Sequence, residues 1–243
     1  MAADSSERSR RVAGVDGAGP GWLCIARDLG GGELCAQLFA TARALAEQSP
    51  PPLVIAWDVP IGLGEREPRA CDALARASLG PPRASSVFPA PLRPVLAARP
   101  HAEASRLRRA IDGRGVSIQA FGIYPKVAEV DALLRATPAL RARVYEVHPE
   151  VSFQAWNRGV AIRASKKTRE GRAARLALVA AHFGANAFAL VRAQWTKQTV
   201  ADDDILDAFA ALWTAERIAV GRARRLPADP PRDGLGLPMQ IVY

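Results

Sequence analysis

Residues 53–57 read Leu-Val-Ile-Ala-Trp, an unbroken apolar run that ends at Asp58. Such a run is typical of a strand covered on both faces, as the parallel strands of α/β proteins are. Pro60 and Gly62 follow it as turn residues. A strand of this kind needs helices on either side of its sheet, which favours an α/β fold with a carboxylate at the end of the strand.

The other patterns supply the rest of such a sheet. Two apolar runs around a Gly-rich turn predict a hairpin. A third strand and a short helix capped by Thr41 are predicted after it. The predicted strands are at 11–15, 22–26, 34–40, 53–57 and 144–147. The predicted helices are at 41–48, 168–183 and 202–220, with further helical patterns at 69–79, 102–111 and 127–135 between the fourth and fifth strands. Their order, β-β-β-α-β-α-β-α, indicates a mixed sheet flanked by helices.

The domain organisation follows from these elements. The 243 residues fit one domain with a sizeable insertion, and we assign residues 64 to about 142 as a helical insertion between the fourth and fifth strands. Residues 1–10 are expected to be disordered, residues 11–227 to form the domain, and residues 228–243 to be a C-terminal tail. No run approaches the ~18 apolar residues of a membrane span. The first residues also lack the apolar segment of a signal peptide, so we expect a cytoplasmic protein without membrane contact.

Missing motifs exclude several common sites. The sequence contains no G-x-S-x-G, no G-x-x-x-x-G-K-[ST] and no H-E-x-x-H, and its early glycines do not fit G-x-G-x-x-G. The three histidines are far apart, and the three cysteines lack C-x-x-C spacing. Neither a zinc site nor a disulfide framework is therefore indicated.

Carboxylates lie inside or at the edge of three apolar strands. Asp16 follows the first, Asp58 follows the fourth, and Glu146 lies within the fifth. Carboxylates are rare in such surroundings unless they are paired or bind a metal. A cluster of them is costly without a hard dication, and Mg²⁺ and Mn²⁺ prefer oxygen ligands. We therefore expect Mg²⁺ or Mn²⁺ as the cofactor.

The helix at 202–220 begins with further acidic residues. Acids in a first turn commonly cap the helix and offset its dipole, and this alternative is open for Asp202 and Asp203. Asp207 lies three residues after Asp204, so both carboxylates are expected on one face of the helix. This spacing favours a functional role for the pair.

Basic residues are concentrated in two segments. Residues 158–175 have a local excess of six positive charges, and a second basic run covers residues 83–109. With a formal net charge of +9, this favours DNA or RNA as the partner, bound with strong salt dependence. A solvated Arg-rich surface is the alternative. The side chains expected to contact phosphate are Ser85, Ser86, Arg93, Ser165, Lys166, Lys167 and Arg175.

Two other residues have open alternatives. Trp22, two residues into the return strand of the hairpin, could stack on a base or belong to the core. His148, which follows the fifth strand, could shuttle a proton or form only structural hydrogen bonds.

The spacing D-x-x-D-A at 204–208, after aspartates at two strand ends, resembles the ribonuclease-H-like nucleases and Holliday-junction resolvases. More specific blocks resemble the domain-of-unknown-function 429 family over about residues 11–227. These blocks are G-V-D-G at 14–17, D-V-P-I-G-L at 58–63, R-x-C-D at 69–72, S-S-V-F-P at 85–89, P-K-V-x-E-V-D at 125–131, E-V-H-P-E-V-S-F at 146–153, S-K-K-T at 165–168 and D-D-x-L-D-A at 203–208. Members of that family are described as predicted nucleases of ribonuclease-H-like fold.

The resemblance implies a ribonuclease-H-like fold and a divalent-metal site. The metal ligands that it implies are Asp16, Asp58, Asp204 and Asp207, with Glu146 and then Glu150 as further residues from the narrower family block. The implied activity is hydrolysis of phosphodiester bonds in DNA or RNA by two ions ~3.5–4 Å apart. The alternatives are an ATP-binding phosphotransferase of the actin-like sugar-kinase class and a non-catalytic nucleic-acid-binding module.

Overall fold

A five-stranded mixed sheet forms the centre of the computed structural model, which describes residues 10–243. Its strands are β1 (Arg11–Ala18), β2 (Gly21–Asp28), β3 (Cys35–Phe39), β4 (Val54–Trp57) and β5 (Val144–Glu146). They lie in the order β3-β2-β1-β4-β5, with β1 to β3 antiparallel and with β4 and β5 parallel to β1. The predicted disorder of residues 1–10 lies, apart from residue 10, outside the described residues.

The hairpin of β1 and β2 is tighter than the sequence predicted. The strands extend until only Gly19 and Pro20 lie between them. Gly19 has a φ of +51°, which glycine adopts without a steric cost. Asp16 consequently lies inside β1, paired with Leu23, and not at the start of a turn.

Helices cover both faces of the sheet. They are α1 (Ala42–Ala46), α2 (Ala70–Leu79), α3 (His101–Asp112), α4 (Ile118–Gly122), α5 (Tyr124–Ala136), α6 (Pro149–Trp156), α7 (Arg169–Phe183), α8 (Ala187–Arg192) and α9 (Asp202–Ala219). Alternate residues of β4 belong to the two layers: Ile55 and Trp57 pack with α1 and α3–α5, whereas Val54 and Ala56 pack with α6–α9. The prediction of an α/β fold with flanking helices is confirmed.

Two segments that the sequence set apart are integrated into this architecture. Helices α3–α5, within the predicted insertion, form part of one layer on the sheet. Residues 228–243, expected to be a tail, place Leu237 in the same core. They also pair β7 (Ile241–Val242) with β6 (Arg225–Leu226), and Val242 forms a bridge to Val147.

Helices α4, α6 and α8 are absent from the sequence prediction. They have five, eight and six residues, too few for apolar periodicity to identify. Thr41 caps α1 as predicted, since its hydroxyl accepts a hydrogen bond from the Ala44 N–H at 3.1 Å. Within residues 10–243, no helix combines the length and the apolar character that crossing a membrane requires.

Candidate functional site

Three carboxylates converge at the C-terminal end of β4, beside the second half of β1. These strands are parallel neighbours in which Val15 pairs with Trp57, so Asp16 and Asp58 follow this pair side by side. Asp207, in the second turn of α9, is the third member. One oxygen from each carboxylate lies within 4.8 Å of the other two, and we call this group the aspartate cluster.

Side-chain alternation puts Asp58 on the sheet face that α9 covers. Val54 and Ala56 pack into that layer, and Asp58 continues the same alternation. Glu146 follows the opposite alternation, because its register partner Trp57 belongs to the core on the other face. The period of two therefore directs Glu146 away from the face on which the aspartate cluster lies.

Helix α9 reaches the cluster because it packs directly on the backbone of β1 at Gly14. A Cβ at this position would lie 2.0 Å from the backbone nitrogen of Leu212 and 2.3 Å from the carbonyl oxygen of Ala208. A side chain of any size would push the helix away. The close approach brings Asp207 to Asp16.

The three carboxylates repel one another. Burial, followed by the charges of Asp58 and Asp207, raises the pKa of Asp16 well above its usual range. Burial and the charge of Asp207 raise the pKa of Asp58 in the same direction. Burial also raises the pKa of Asp207, against the opposing effect of Lys166. The cluster therefore favours a bound cation.

Lys166 supplies a positive charge to the cluster. Its ammonium group donates a hydrogen bond to Asp207 Oδ2 and lies 3.5 Å from Asp203 Oδ2. Burial disfavours the charged ammonium group, but Asp207 and Asp16 outweigh this effect and raise the pKa of Lys166. Lys166 thus partly neutralises the three aspartates.

A second observation shows that the cluster fits a divalent metal. Asp207 Oδ1 is buried and has no hydrogen-bond partner among residues 10–243. A buried oxygen without a partner is costly, and more so when it is charged. Since Mg²⁺ and Mn²⁺ take oxygen ligands, Asp16, Asp58 and Asp207 could hold such an ion, with this oxygen as one ligand.

Asp204, expected to be a metal ligand, contacts the start of its own helix. Its Oδ2 accepts a hydrogen bond from the Ala201 N–H at 2.9 Å, and it is not part of the aspartate cluster. Burial raises the pKa of Asp204 to about 6. Asp203, for which capping was the open alternative, lines the cavity beside Lys166. The i, i+3 spacing of Asp204 and Asp207 predicted that both lie on one face of the helix, but it did not specify that Asp204 would accept a hydrogen bond from the backbone.

Glu146 is held by Arg69. The guanidinium donates to both carboxylate oxygens, at 2.6 and 2.7 Å, and the Ile61 N–H donates to one of them at 2.6 Å. Arg69 also donates to Asp72 at 2.5 Å. Burial raises the pKa of Glu146 to about 7, against the opposing charge of Arg69. Glu146 thus has a structural partner, and its catalytic role stays a prediction.

A cavity of about 640 Å³ lies in front of these groups. The predicted phosphate contacts that line it are Ser85, Ser86, Ser165, Lys166 and Lys167. Lys126, which the sequence analysis missed, also lines it. Lysine is scarce in this chain, at positions 126, 166, 167 and 197 alone, and the first three of these positions fall in blocks of the family resemblance. That scarcity is the signal that could have identified Lys126.

Arg93 and Arg175 lie away from the cavity, which corrects their predicted contact with phosphate. Arg175 is 0% exposed and donates to both oxygens of Glu150, at 2.8 and 2.6 Å. Arg93 pairs with Asp131 at 3.1 Å and with Asp233 at 2.5 Å. Both guanidinium groups form ion pairs within the protein, and the partner of Arg175 is Glu150.

Trp22 is a core residue, so base stacking on it is excluded. The side chain is 0% exposed and packs edge-on against Trp57, with ring centroids 5.0 Å apart. Its indole N–H donates to Glu129 at 3.0 Å. The ammonium group of Lys126 lies 4.3 Å from its ring centroid and donates to the Gly21 carbonyl at 2.5 Å, so the hairpin positions this lysine at the cavity.

Lys166→Met is expected to tighten divalent-metal binding in the absence of substrate. The ammonium group competes with a dication for Asp207, and methionine keeps most of the side-chain length without the charge. We expect a Kd for Mn²⁺ that is lower by about tenfold, or ~1.4 kcal/mol, by titration calorimetry. Lys167→Met, at an exposed neighbouring position, is the matched control. Unchanged or weaker binding in Lys166→Met would contradict the competition.

Comparison with known protein families matches residues 14–232 to the family described as Protein of unknown function (DUF429). The matched range contains all three members of the aspartate cluster and the three lysines of the cavity. No curated protein and no solved structure matches this chain.

Proposed function

This chain belongs to the family described as Protein of unknown function (DUF429), and we propose that it is a divalent-metal-dependent nuclease that hydrolyses phosphodiester bonds of DNA or RNA. One observation carries the proposal. Asp16, Asp58 and Asp207 meet within 4.8 Å, and a buried oxygen of Asp207 has no partner in the described part of the chain. Mg²⁺ or Mn²⁺ is the proposed cofactor.

The proposed fold family is ribonuclease-H-like. The strand order β3-β2-β1-β4-β5 supports it, together with an aspartate in β1, one directly after β4 and one in the last long helix. These are three of the positions that the sequence resemblance implies. In the same proposal, the helical segment between β4 and β5 is an insertion into that fold.

Several residues of the cavity support the proposed binding of a phosphodiester. A bound divalent ion would stabilise the charge that develops at phosphorus and lower the pKa of a water molecule. The Gly17 N–H orients Asp16 by donating to its Oδ1 at 2.7 Å. Lys126, Lys166 and Lys167 line the same cavity and would bind phosphate oxygens as point charges. Binding is therefore expected to weaken as salt rises.

A substrate panel tests this proposal. Labelled single-stranded, duplex, hybrid and branched DNA and RNA are incubated with the purified protein in Mg²⁺ or Mn²⁺, with an EDTA control. We expect cleavage of at least one substrate, and only with metal. Cleavage that persists in EDTA, or no cleavage of any substrate, would contradict the proposal. ATP hydrolysis without cleavage would favour the phosphotransferase, and salt-sensitive binding without cleavage the non-catalytic module.

A further inference from the structure

An exposed aromatic ring forms part of the cavity wall. Phe88 is 43% exposed, and it is the aromatic member of the exposed large hydrophobic side chains in residues 10–243. It lines the same cavity as the aspartate cluster and the three lysines. An aromatic side chain that is exposed to water lacks the large stabilisation that its burial would give. Its position in a cavity next to charged groups points to a ligand that has both a flat apolar face and negative charge.

The backbone on both sides of Phe88 is fixed. Val87 is buried, and its carbonyl accepts a hydrogen bond from Arg76 at 2.6 Å. Ala90 is also buried, and its N–H donates to Asp72 at 3.0 Å. The ring is thus presented from a preorganised segment, which lowers the entropy cost of binding a ligand against it.

The hydroxyl groups next to Phe88 suit the edge of a base better than a phosphate. Ser85 donates to the Pro82 carbonyl at 3.0 Å, and Ser86 donates to the Arg83 carbonyl at 2.7 Å. Because both hydroxyl hydrogens are used, the oxygens are left to accept hydrogen bonds. Nucleobases carry N–H donors, whereas an ionised phosphodiester has none. The predicted contact of Ser85 and Ser86 with phosphate stays a prediction, and contact with a base edge is the alternative that these hydrogen bonds favour.

Two further polar atoms in this wall lack partners. Arg83 Nε and His148 Nδ1 are buried without a hydrogen-bond partner among the residues that the structure describes, and both residues line the cavity. Arg83 Nε lies 3.9 Å from Glu150, which is beyond hydrogen-bond distance. A base edge, which carries both donors and acceptors, complements such a wall.

The stacking of bases limits the form of nucleic acid that can contact the Phe88 ring. The cavity volume of about 640 Å³ is in the range of small-ligand sites, ~300–1,000 Å³. In a duplex the faces of each paired base are covered by its neighbours, and a protein reaches such a base only when it leaves the stack. A base can therefore reach Phe88 only when it is unpaired.

We propose that Phe88, with Ser85, Ser86 and Arg83, binds an unpaired nucleobase, so that the site takes single-stranded nucleic acid. The adjacent phosphates lie on the side of Lys126 and Lys166. This inference rests on the proposed nuclease function and adds its substrate class.

Fluorescence anisotropy, with Ca²⁺ as the divalent ion, measures the affinity for labelled nucleic acid and thereby tests the proposed stacking. The probes are a short labelled single strand, the same strand in a duplex, and a series in which one abasic site moves along the strand. Phe88→Ala is expected to weaken single-strand binding roughly 5- to 150-fold, from ~1–3 kcal/mol of stacking per base. Phe88→Trp is expected to retain binding. Leu74→Ala, 40% exposed on α2 outside the cavity, is the matched control and should bind as the wild type does.

The abasic series identifies the stacking itself. At one position, loss of the base should weaken binding to the wild type but not to Phe88→Ala, because both changes remove the same contact. In the cleavage assay, Phe88→Ala should raise KM and leave kcat nearly unchanged.

Different results separate the inference from the proposed function. Wild-type cleavage together with unchanged single-strand binding in Phe88→Ala overturns the inference and leaves the nuclease proposal standing. Equal wild-type affinity for duplex and single strand also overturns it. Single-strand binding that depends on Phe88, without cleavage of any substrate, supports the inference and removes the nuclease proposal.

Discussion

Asp16→Asn is expected to remove metal-dependent cleavage and, in the absence of metal, to make the protein more stable. Asp16 supplies one of the three oxygens of the aspartate cluster. Its loss should lower kcat by ~10³-fold, the scale observed when an electrostatic catalytic group is removed. Asparagine keeps an oxygen that can accept from the Gly17 N–H, so β1 should keep its conformation.

The gain in stability follows from the repulsion that Asp16 experiences. Burial and the charges of Asp58 and Asp207 raise its pKa, so the folded protein binds this proton more tightly than the unfolded chain does. The metal-free wild type should therefore lose stability as pH rises above ~3.9, the usual pKa of aspartate. A pKa difference of one is worth ~1.4 kcal/mol, and we expect Asp16→Asn to be more stable by about 1–3 kcal/mol near neutral pH.

Urea unfolding in EDTA, from about pH 4 to pH 8, measures this difference. The advantage of Asp16→Asn should be small at the acidic end and grow with pH. Asp28→Asn, at an exposed position at the far end of β2, is the matched control and should follow the wild type. A variant that cleaves like the wild type would falsify the assignment of Asp16 to the metal site. A variant that is less stable at neutral pH would contradict the repulsion.

Gly14→Ala is expected to destabilise the protein strongly and to abolish metal binding together with cleavage. The new Cβ would lie 2.0 Å from the Leu212 backbone nitrogen, and no side-chain rotation relieves an overlap with backbone. Helix α9 must therefore move away from β1. Overpacking in a core costs ~1–3 kcal/mol when side chains can adjust, and we expect at least ~3 kcal/mol here. Because Asp207 is on the same helix, the aspartate cluster should open as well.

Urea unfolding measures the stability of the variant, and calorimetric titration of Mn²⁺ into the folded protein measures its metal binding. Gly122→Ala is the control, because a Cβ at that position, at the end of α4, would meet no atom within 4 Å. It should change stability by less than about 1 kcal/mol. Near-wild-type stability and Mn²⁺ affinity in Gly14→Ala would contradict the close packing of α9 on β1.

The sequence was sufficient for the five strands of the central sheet, for the long helices and for the location of Asp58, but β6, β7 and the continuation of β1 through Asp16 were not predicted. A strand that is buried on both faces consists of apolar residues, and the apolar run at 53–57 therefore identified the central strand. Leu53 is nevertheless 48% exposed, and β4 begins one residue later. Asp16 and Asp58 were expected in one carboxylate cluster, and they meet because β1 and β4 are parallel neighbours in the sheet, a pairing that the structure supplied. Glu146 could have been separated from them by its alternation in β5.

Tertiary structure alone decided which charged and aromatic side chains face the cavity. Lys166 and Arg175 lie in one basic segment, yet Lys166 contacts Asp207, 41 positions away, whereas Arg175 is buried on Glu150. In the same way Trp22 belongs to the core and Phe88 is exposed. Apolar periodicity is a property of neighbouring residues, so it determined the elements from the sequence. The direction of a polar or aromatic side chain depends on groups that are distant along the chain, and only their packing specifies it.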